Sequence, residues 1–409
     1  MILQKTVLAI CAAGSLFVLL GFSDMQLRTA KQEAFVTVEA GAFDRHETVV
    51  TFQLPASLRV SPYELRGSSG PGLAVQVDSS RRASFVLPEL KAGTSITYRL
   101  VNSRAAVPMV TVRKEGKKIR LGTLKRRVLD FQMEGELPSP EVKPIFLRGG
   151  YIHPVFAPSG RVVTDDYPSD HYHHHGIWAA WTKTEFEGRK PDFWNMDDSS
   201  GKVEFVSVDD TWEGAVHGGF RSRQDYVDLS GSEAKRVLNE TWDVRVYFVG
   251  QGRKRYSMFD LNTIQECATR SPLILSEYRY GGVGFRGHRD WKDKSKIAFL
   301  TSEGKDRGDG NATRARWCHI GGPVDGQEVG VAILDHPGNF RAPQPMRINP
   351  DDPFFNYAPS QLGQFEIAPG FLYTSAYRFV VADGPADKLE IDRLWNDYAN
   401  PPQVTITYR

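Results

Sequence analysis

Val237-Leu238-Asn239-Glu240-Thr241-Trp242-Asp243-Val244-Arg245-Val246-Tyr247-Phe248 is the stretch that decides the fold class. From Thr241 to Val246, polar and apolar residues alternate with period two. Successive side chains of a strand point to opposite faces, so the run predicts one long strand with a buried face and a freer one. Arg255-Tyr256-Ser257-Met258-Phe259-Asp260-Leu261-Asn262-Thr263-Ile264 repeats the pattern, and Lys202-Val203-Glu204-Phe205-Val206-Ser207-Val208 keeps it for most of its length. Strands of this length suit the large curved sheets of an extended sandwich.

Shorter β-type runs precede them at 35–39, 49–54, 73–77 and 95–99, separated by Gly, Pro, Ser and Asp turns. They predict a small N-terminal β-sandwich. The runs 117–121 and 128–131 can close this first unit or begin the second, and the boundary is placed near residue 115. The expected organisation is a leader at 1–23, a small β-sandwich at 24–114 and a large β-supersandwich at 115–409. One helix is predicted. Gly384-Pro385 opens it with proline in the first turn, Ile391, Leu394, Trp395 and Tyr398 share a face, and Pro401-Pro402 stops it. The fold class is all-β with one C-terminal helix.

The chain has 409 residues, a net charge of +2 and 24% charged residues without long single-sign runs. This balance gives no footprint for nucleic acid or an anionic membrane and excludes a multi-span membrane protein. Lys5 followed by the apolar run Val7 to Phe22 reads as a secretory signal peptide, with a retained N-terminal anchor as the alternative. The expected location is secreted or periplasmic. Removing the leader takes Cys11 and leaves Cys267 and Cys318, which read as two buried thiols, with a single disulfide as the other arrangement open to them.

The densest chemistry lies in Asp165-Asp166-Tyr167-Pro168-Ser169-Asp170-His171-Tyr172-His173-His174-His175-Gly176-Ile177-Trp178, which holds four of the ten histidines. If extended, the block points His171, His173 and His175 to one face and His174 to the other. Three imidazoles on one face can bind a divalent metal such as zinc, or can act as sugar-hydroxyl partners and proton carriers. The plain alternative is packing among aromatics with the ring N–H groups satisfied by carbonyls. In Ser276-Glu277-Tyr278-Arg279-Tyr280-Gly281-Gly282, alternation puts Glu277 and Arg279 on one face, as base and anion contact or as a simple cross-strand pair. His336, at the end of the apolar run Val329 to Leu334, is a ligand contact or part of a turn. Trp178, Asp192 and Trp194 supply aromatic faces and a polar partner of the kind that binds sugars. No Gly-x-Ser-x-Gly elbow, P-loop or His-Glu-x-x-His motif is present.

The segments Arg148-Gly149-Gly150-Tyr151-Ile152-His153-Pro154, Asp170 to Trp178, Asp192-Phe193-Trp194, Glu277 to Gly282 and Asp335-His336-Pro337 resemble a family of exported bacterial proteins labelled methane oxygenase PmoA. The likeness spans about residues 115 to 400. It implies a galactose-mutarotase-type supersandwich, in which histidine acts as acid and Glu or Asp as base around a sugar ring. A membrane methane monooxygenase subunit needs several apolar spans of about 20 residues, and this chain has one apolar run.

The expectation is therefore an exported carbohydrate-active enzyme (hydrolase, lyase or epimerase) acting on a neutral sugar or glycoside. His171, His173, His174, His175 and Glu277 are its catalytic candidates. Arg279, His336, Trp178, Asp192 and Trp194 are its substrate contacts, and His171, His173 and His175 form a candidate metal set. The alternatives are a non-catalytic glycan-binding protein and a histidine-ligated metalloprotein.

Overall fold

A computed structural model describes residues 33–104, 106–252 and 255–409. The expected leader lies outside them. The fold is nearly all β, with one α-helix among the described residues. No helix among them is long and apolar enough to cross a membrane.

Two eight-stranded antiparallel sheets form the larger part. The long-strand sheet runs in the order Gly201–Trp212, His217–Asp228, Lys235–Tyr247, Tyr256–Cys267, Tyr373–Asp383, Gln327–Asp335, Trp317–Val324, Ala298–Thr301. The opening stretch thus lies in a strand two places from the edge, and its alternation holds. Trp242, Val244 and Val246 point into a core with Phe259, Leu261 and Phe379. Where alternation fails at Val206, the register shifts between Phe205 and Ser207, which is how a strand accommodates one extra residue.

The opposing short-strand sheet runs Met346–Ile348, Phe354–Tyr357, Gly282–Arg286, Ile177–Ala180, Tyr151–Val155, Arg126–Gln132, Lys118–Thr123, Val110–Glu115. Its inward face sends Ile177, Ala179, Phe285 and Phe355 into the shared core. Its other face carries a second, aromatic core that includes Trp178, Trp181, Trp194, Tyr226 and Phe354. That second core positions the histidine block.

The N-terminal sheet has seven strands in the order Arg45–Gln53, Arg82–Leu90, Leu73–Val77, Tyr63–Arg66, Ser95–Asn102, Ala34–Glu39, Gln403–Tyr408, closed over Val36, Val50, Phe85, Leu87 and Leu100. Two strands bear on the boundary placed near residue 115. Val110–Glu115 pairs with Lys118–Thr123 in the short-strand sheet, and Gln403–Tyr408 returns to pair with Ala34–Glu39.

The helix spans Lys388–Ala399 and starts later than Pro385, because the Asp387 carboxylate accepts the Glu390 N–H at 3.1 Å and caps it. Ile391 and Leu394 face the core, and buried Asp397 accepts from Arg45 Nη1 and Thr48 Oγ1 of the N-terminal sheet, both at 2.9 Å. Both strand cysteines are free: Cys267 is half-buried and Cys318 buried.

Gln76 fastens the N-terminal sheet to the long-strand sheet. Its Nε2 donates to the His217 carbonyl at 2.9 Å, and its Oε1 accepts from the N–H groups of Val216 and His217, each at 3.0 Å. Gln76→Ala leaves these backbone groups without partners and is expected to lower stability by roughly 1–3 kcal/mol in denaturant unfolding. A loss within error of zero would show that the two sheets are held together elsewhere.

Candidate functional site

The outer face of the short-strand sheet sets the site. Trp178 lies opposite Gly284, Gly284 opposite Asn356, and Asn356 opposite Arg347, while Arg286 pairs with Phe354. These residues share one face, and Gly284 is small for a reason: a methyl group on it would meet the Trp194 ring at 2.8 Å. The Trp194 loop is shaped by Asp192, whose Oδ1 accepts from the N–H groups of Trp194 and Asn195 at 2.9 and 3.0 Å.

The histidine block is a turn and not a strand. The N–H of His171 donates to Pro168 O and that of His174 to His171 O, both at 2.8 Å. This corrects the extended reading, and Pro168 is its cause: a proline followed by Ser and Asp favours a turn over a ladder. Strand geometry begins only at Ile177. The four imidazoles therefore take different environments.

His171, His174 and Phe354 form a pile, with centroid separations of 4.8 Å for the first pair and 5.0 Å for the second. Buried Arg286 donates to His174 Nδ1 at 3.2 Å, which places the imidazole proton on Nε2. Burial holds His174 far below the usual histidine range, with His173 and Arg286 adding to it. Burial likewise pushes His173 down to about 3, so both rings are neutral. His175 turns away beneath the turn. It stacks on Tyr151 at 4.4 Å, and its Nδ1 lies 2.7 Å from Asp166 Oδ1, while the Tyr151 hydroxyl donates to Asp166 Oδ2 at 2.8 Å.

His171, His173 and His174 open onto a cleft of about 330 Å³ with Trp194, Phe354 and Tyr280. Asp170, Asn195, Asp197, Arg279, Arg347 and Asn349 complete its walls. The Tyr280 hydroxyl donates to Asn195 Oδ1 at 3.0 Å, tying the two walls together.

Of the residues expected at the site, His171, His173, His174, Trp194 and Arg279 meet at this cleft. Trp178 lies fully buried under it and Asp192 supports it. Glu277 does not join them: it is exposed, outside any strand and not part of the cleft wall. The strand Leu273–Leu275 ends before it, and Gly281 and Gly282 turn the chain with φ of +141 and +101, so the alternation reading does not apply. His336 packs on Tyr398 at 4.9 Å and is likewise not part of the cleft wall.

The metal set His171, His173 and His175 is also corrected, since the ligand atoms of the three do not come together. Among the described residues, the donors with metal-like spacing are Asp170, His171 and Asp352, whose ligand atoms lie within 4.8 Å of one another. Both carboxylates already face cations. Lys292 contacts Asp170 and lies 3.4 Å from Asp352, and Arg286 Nη2 lies 3.5 and 3.7 Å from them. The spacing fits a cation, and the charge is already balanced without one. Asp352 sits in Asn349-Pro350-Asp351-Asp352-Pro353, a turn signature with nothing to link it to residue 171, and Arg286 stands apart from the histidines in sequence.

A model of a family of unknown function, DUF6807, matches residues 119–396. The chain belongs to this family. The match covers both eight-stranded sheets except Val110–Glu115, together with the whole cleft. No curated protein matches the chain.

Proposed function

We propose that the chain is an exported carbohydrate-active enzyme of galactose-mutarotase-like architecture, acting on a sugar or glycoside in the histidine cleft. The reading rests chiefly on one observation: imidazoles and the Tyr280 ring line a hollow of about 330 Å³ that is backed by the buried rings of Trp194 and Phe354. That volume is near the lower end of small-ligand pockets, which run roughly 300–1,000 Å³, and suits a single ring. An apolar sugar face stacks on aromatic rings, while neutral imidazoles exchange hydrogen bonds with hydroxyls in either direction.

His171 is the proton carrier in this reading. Its Nδ1 lies 3.3 Å from Asp170 Oδ1; burial holds the ring below the usual histidine range, and Asp352 opposes this by favouring the imidazolium that forms when the ring takes a proton. His173 and Asn195 hold hydroxyls, and Asp192 holds the loop.

Incubation with a panel of sugars and glycosides is expected to give a product, and turnover should fall by about 100-fold or more in His171→Ala. Binding without product in the parent protein would replace the enzyme with a glycan-binding protein. The spacing of Asp170, His171 and Asp352 favours a second reading, a divalent cation held at the cleft. Elemental analysis of the purified protein, and a melting temperature that rises on adding metal, would support it.

A further inference from the structure

We infer that the sugar taken by this cleft is acidic, a uronate whose carboxylate is held by Arg279 and Arg347; the inference rests on the sugar reading of the same cleft. Both guanidinium groups belong to its wall. Arg347 lies in the strand Met346–Ile348, on the face shared with Trp178 and Asn356, and its Nη1 donates to Asn311 Oδ1 at 3.3 Å. Arg279 rests its guanidinium over Tyr278 and Tyr280, 5.8 and 5.7 Å from the ring centroids, and its carbonyl accepts from Gln361 Nε2 at 3.0 Å.

Arg286, the buried guanidinium beside this cleft, faces two carboxylates. Neither Arg279 nor Arg347 has an acidic partner within ion-pair distance among the described residues. The neighbouring acids are committed elsewhere: Asp170 to Lys292 and Arg286, Asp351 to Lys294 at 2.5 Å, and exposed Asp197 to Lys143 at 3.5 Å.

Two like charges left close together repel, and the repulsion is relieved by an anion between them. Burial first, and then the charge of Arg279, holds Arg347 below the usual arginine range, in keeping with that proximity. The planar fork of a guanidinium matches a carboxylate in two parallel hydrogen bonds. A uronate places such a carboxylate at the edge of its sugar ring. The near-neutral composition, which points to an uncharged ligand, averages over these two guanidinium groups.

Calorimetric titration of the full chain with paired sugars is the test: glucuronate against glucose, galacturonate against galactose, and glucose 6-phosphate as a second anion. The uronates should bind about tenfold or more tightly than their neutral counterparts. Arg279→Gln and Arg347→Gln should each remove most of that preference, read as the ratio of uronate to neutral-sugar affinity within the same variant, and Arg347→Lys should keep part of it. Arg279 is exposed, so its variant folds even if the Arg347 variants do not. Equal affinity for the neutral sugars, a preference that survives both glutamine variants, or tighter binding of the phosphate would overturn the uronate while leaving the sugar cleft standing. Binding of no sugar of any kind would overturn both readings.

Discussion

Arg378→Met is expected to lower the free energy of unfolding by about 3–5 kcal/mol, the usual result of removing one partner from a buried ion pair. Arg378 and Asp260 sit opposite each other on adjacent strands, Tyr373–Asp383 and Tyr256–Cys267. Their side chains meet in a bidentate fork, with Nε to Oδ1 at 2.7 Å and Nη2 to Oδ2 at 3.0 Å. The Tyr247 hydroxyl adds a third bond to Asp260 Oδ2 at 2.8 Å, and the guanidinium lies over the Tyr398 ring at 4.3 Å. Both charged residues are less than a tenth exposed. Methionine fills much of the arginine's volume, so the loss reports the carboxylate left buried beside Tyr247. The double variant Asp260→Asn with Arg378→Met should recover a good part of the loss, since removing both charges leaves nothing uncompensated. Urea unfolding of the two variants and the parent measures this, and a single-variant loss below about 1 kcal/mol would show that water reaches Asp260.

The second large effect is the contribution of Glu240 and Asp335 to stability, which declines from mildly acidic to mildly alkaline pH, opposite in slope to that of the buried histidines, whose lowered pKa values favour the higher pH. Burial raises Glu240 from 4.5 to about 7, against the hydrogen bond from Gln265 that opposes it, and burial raises Asp335 from 3.8 to about 7 against the bond from Asn339. Glu240 falls in the inward phase of its strand with Trp242 and Val244, which is why a carboxyl group stands in a hydrophobic position. A group whose pKa is higher folded than unfolded holds its proton more tightly in the native state. Its contribution is complete below the unfolded value near pH 4 and is lost as pH rises through about 7. At 1.36 kcal/mol per pKa unit, Glu240 alone accounts for about 3 kcal/mol across that window. Unfolding of the parent and of Glu240→Gln at pH 5 and pH 8 isolates the Glu240 part: the variant should gain stability relative to the parent on going from pH 5 to pH 8. No relative gain would mean that Glu240 ionises at its ordinary value.

Alternation made the long strands legible, and its break at Val206 marked a real register shift. The helix face was legible too, but its start was not, because Asp387 competes with Pro385 as the opening signal and wins through its side-chain bond. The histidine block was found by composition and misread in shape: density of imidazoles says nothing of dihedral angles, and the turn residues Pro168 and Ser169 carried that information. Glu277 was misplaced for a related reason, since alternation means something only while the chain remains a strand. Arg286, Asp352 and Arg347 were out of reach because their relation to His171 is made by strand pairing across the sheet, which no local pattern encodes.

The pairing of Ala34–Glu39 with Gln403–Tyr408, closed at its end by mutual backbone bonds between Glu33 and Arg409 of 2.8 and 2.9 Å, imposes an order on folding in time. During synthesis Ala34–Glu39 emerges long before Gln403–Tyr408, so one edge of that sheet stays open while everything between positions 40 and 402 is made. An unpaired edge is a template for the wrong partner. Pairing so distant in sequence is also slow to form. The N-terminal sheet is thus complete only once residues 403–408 have been made, and a ribosome-stalled or truncated chain lacking them would expose Ala34–Glu39 to aggregation while the histidine cleft could already be built.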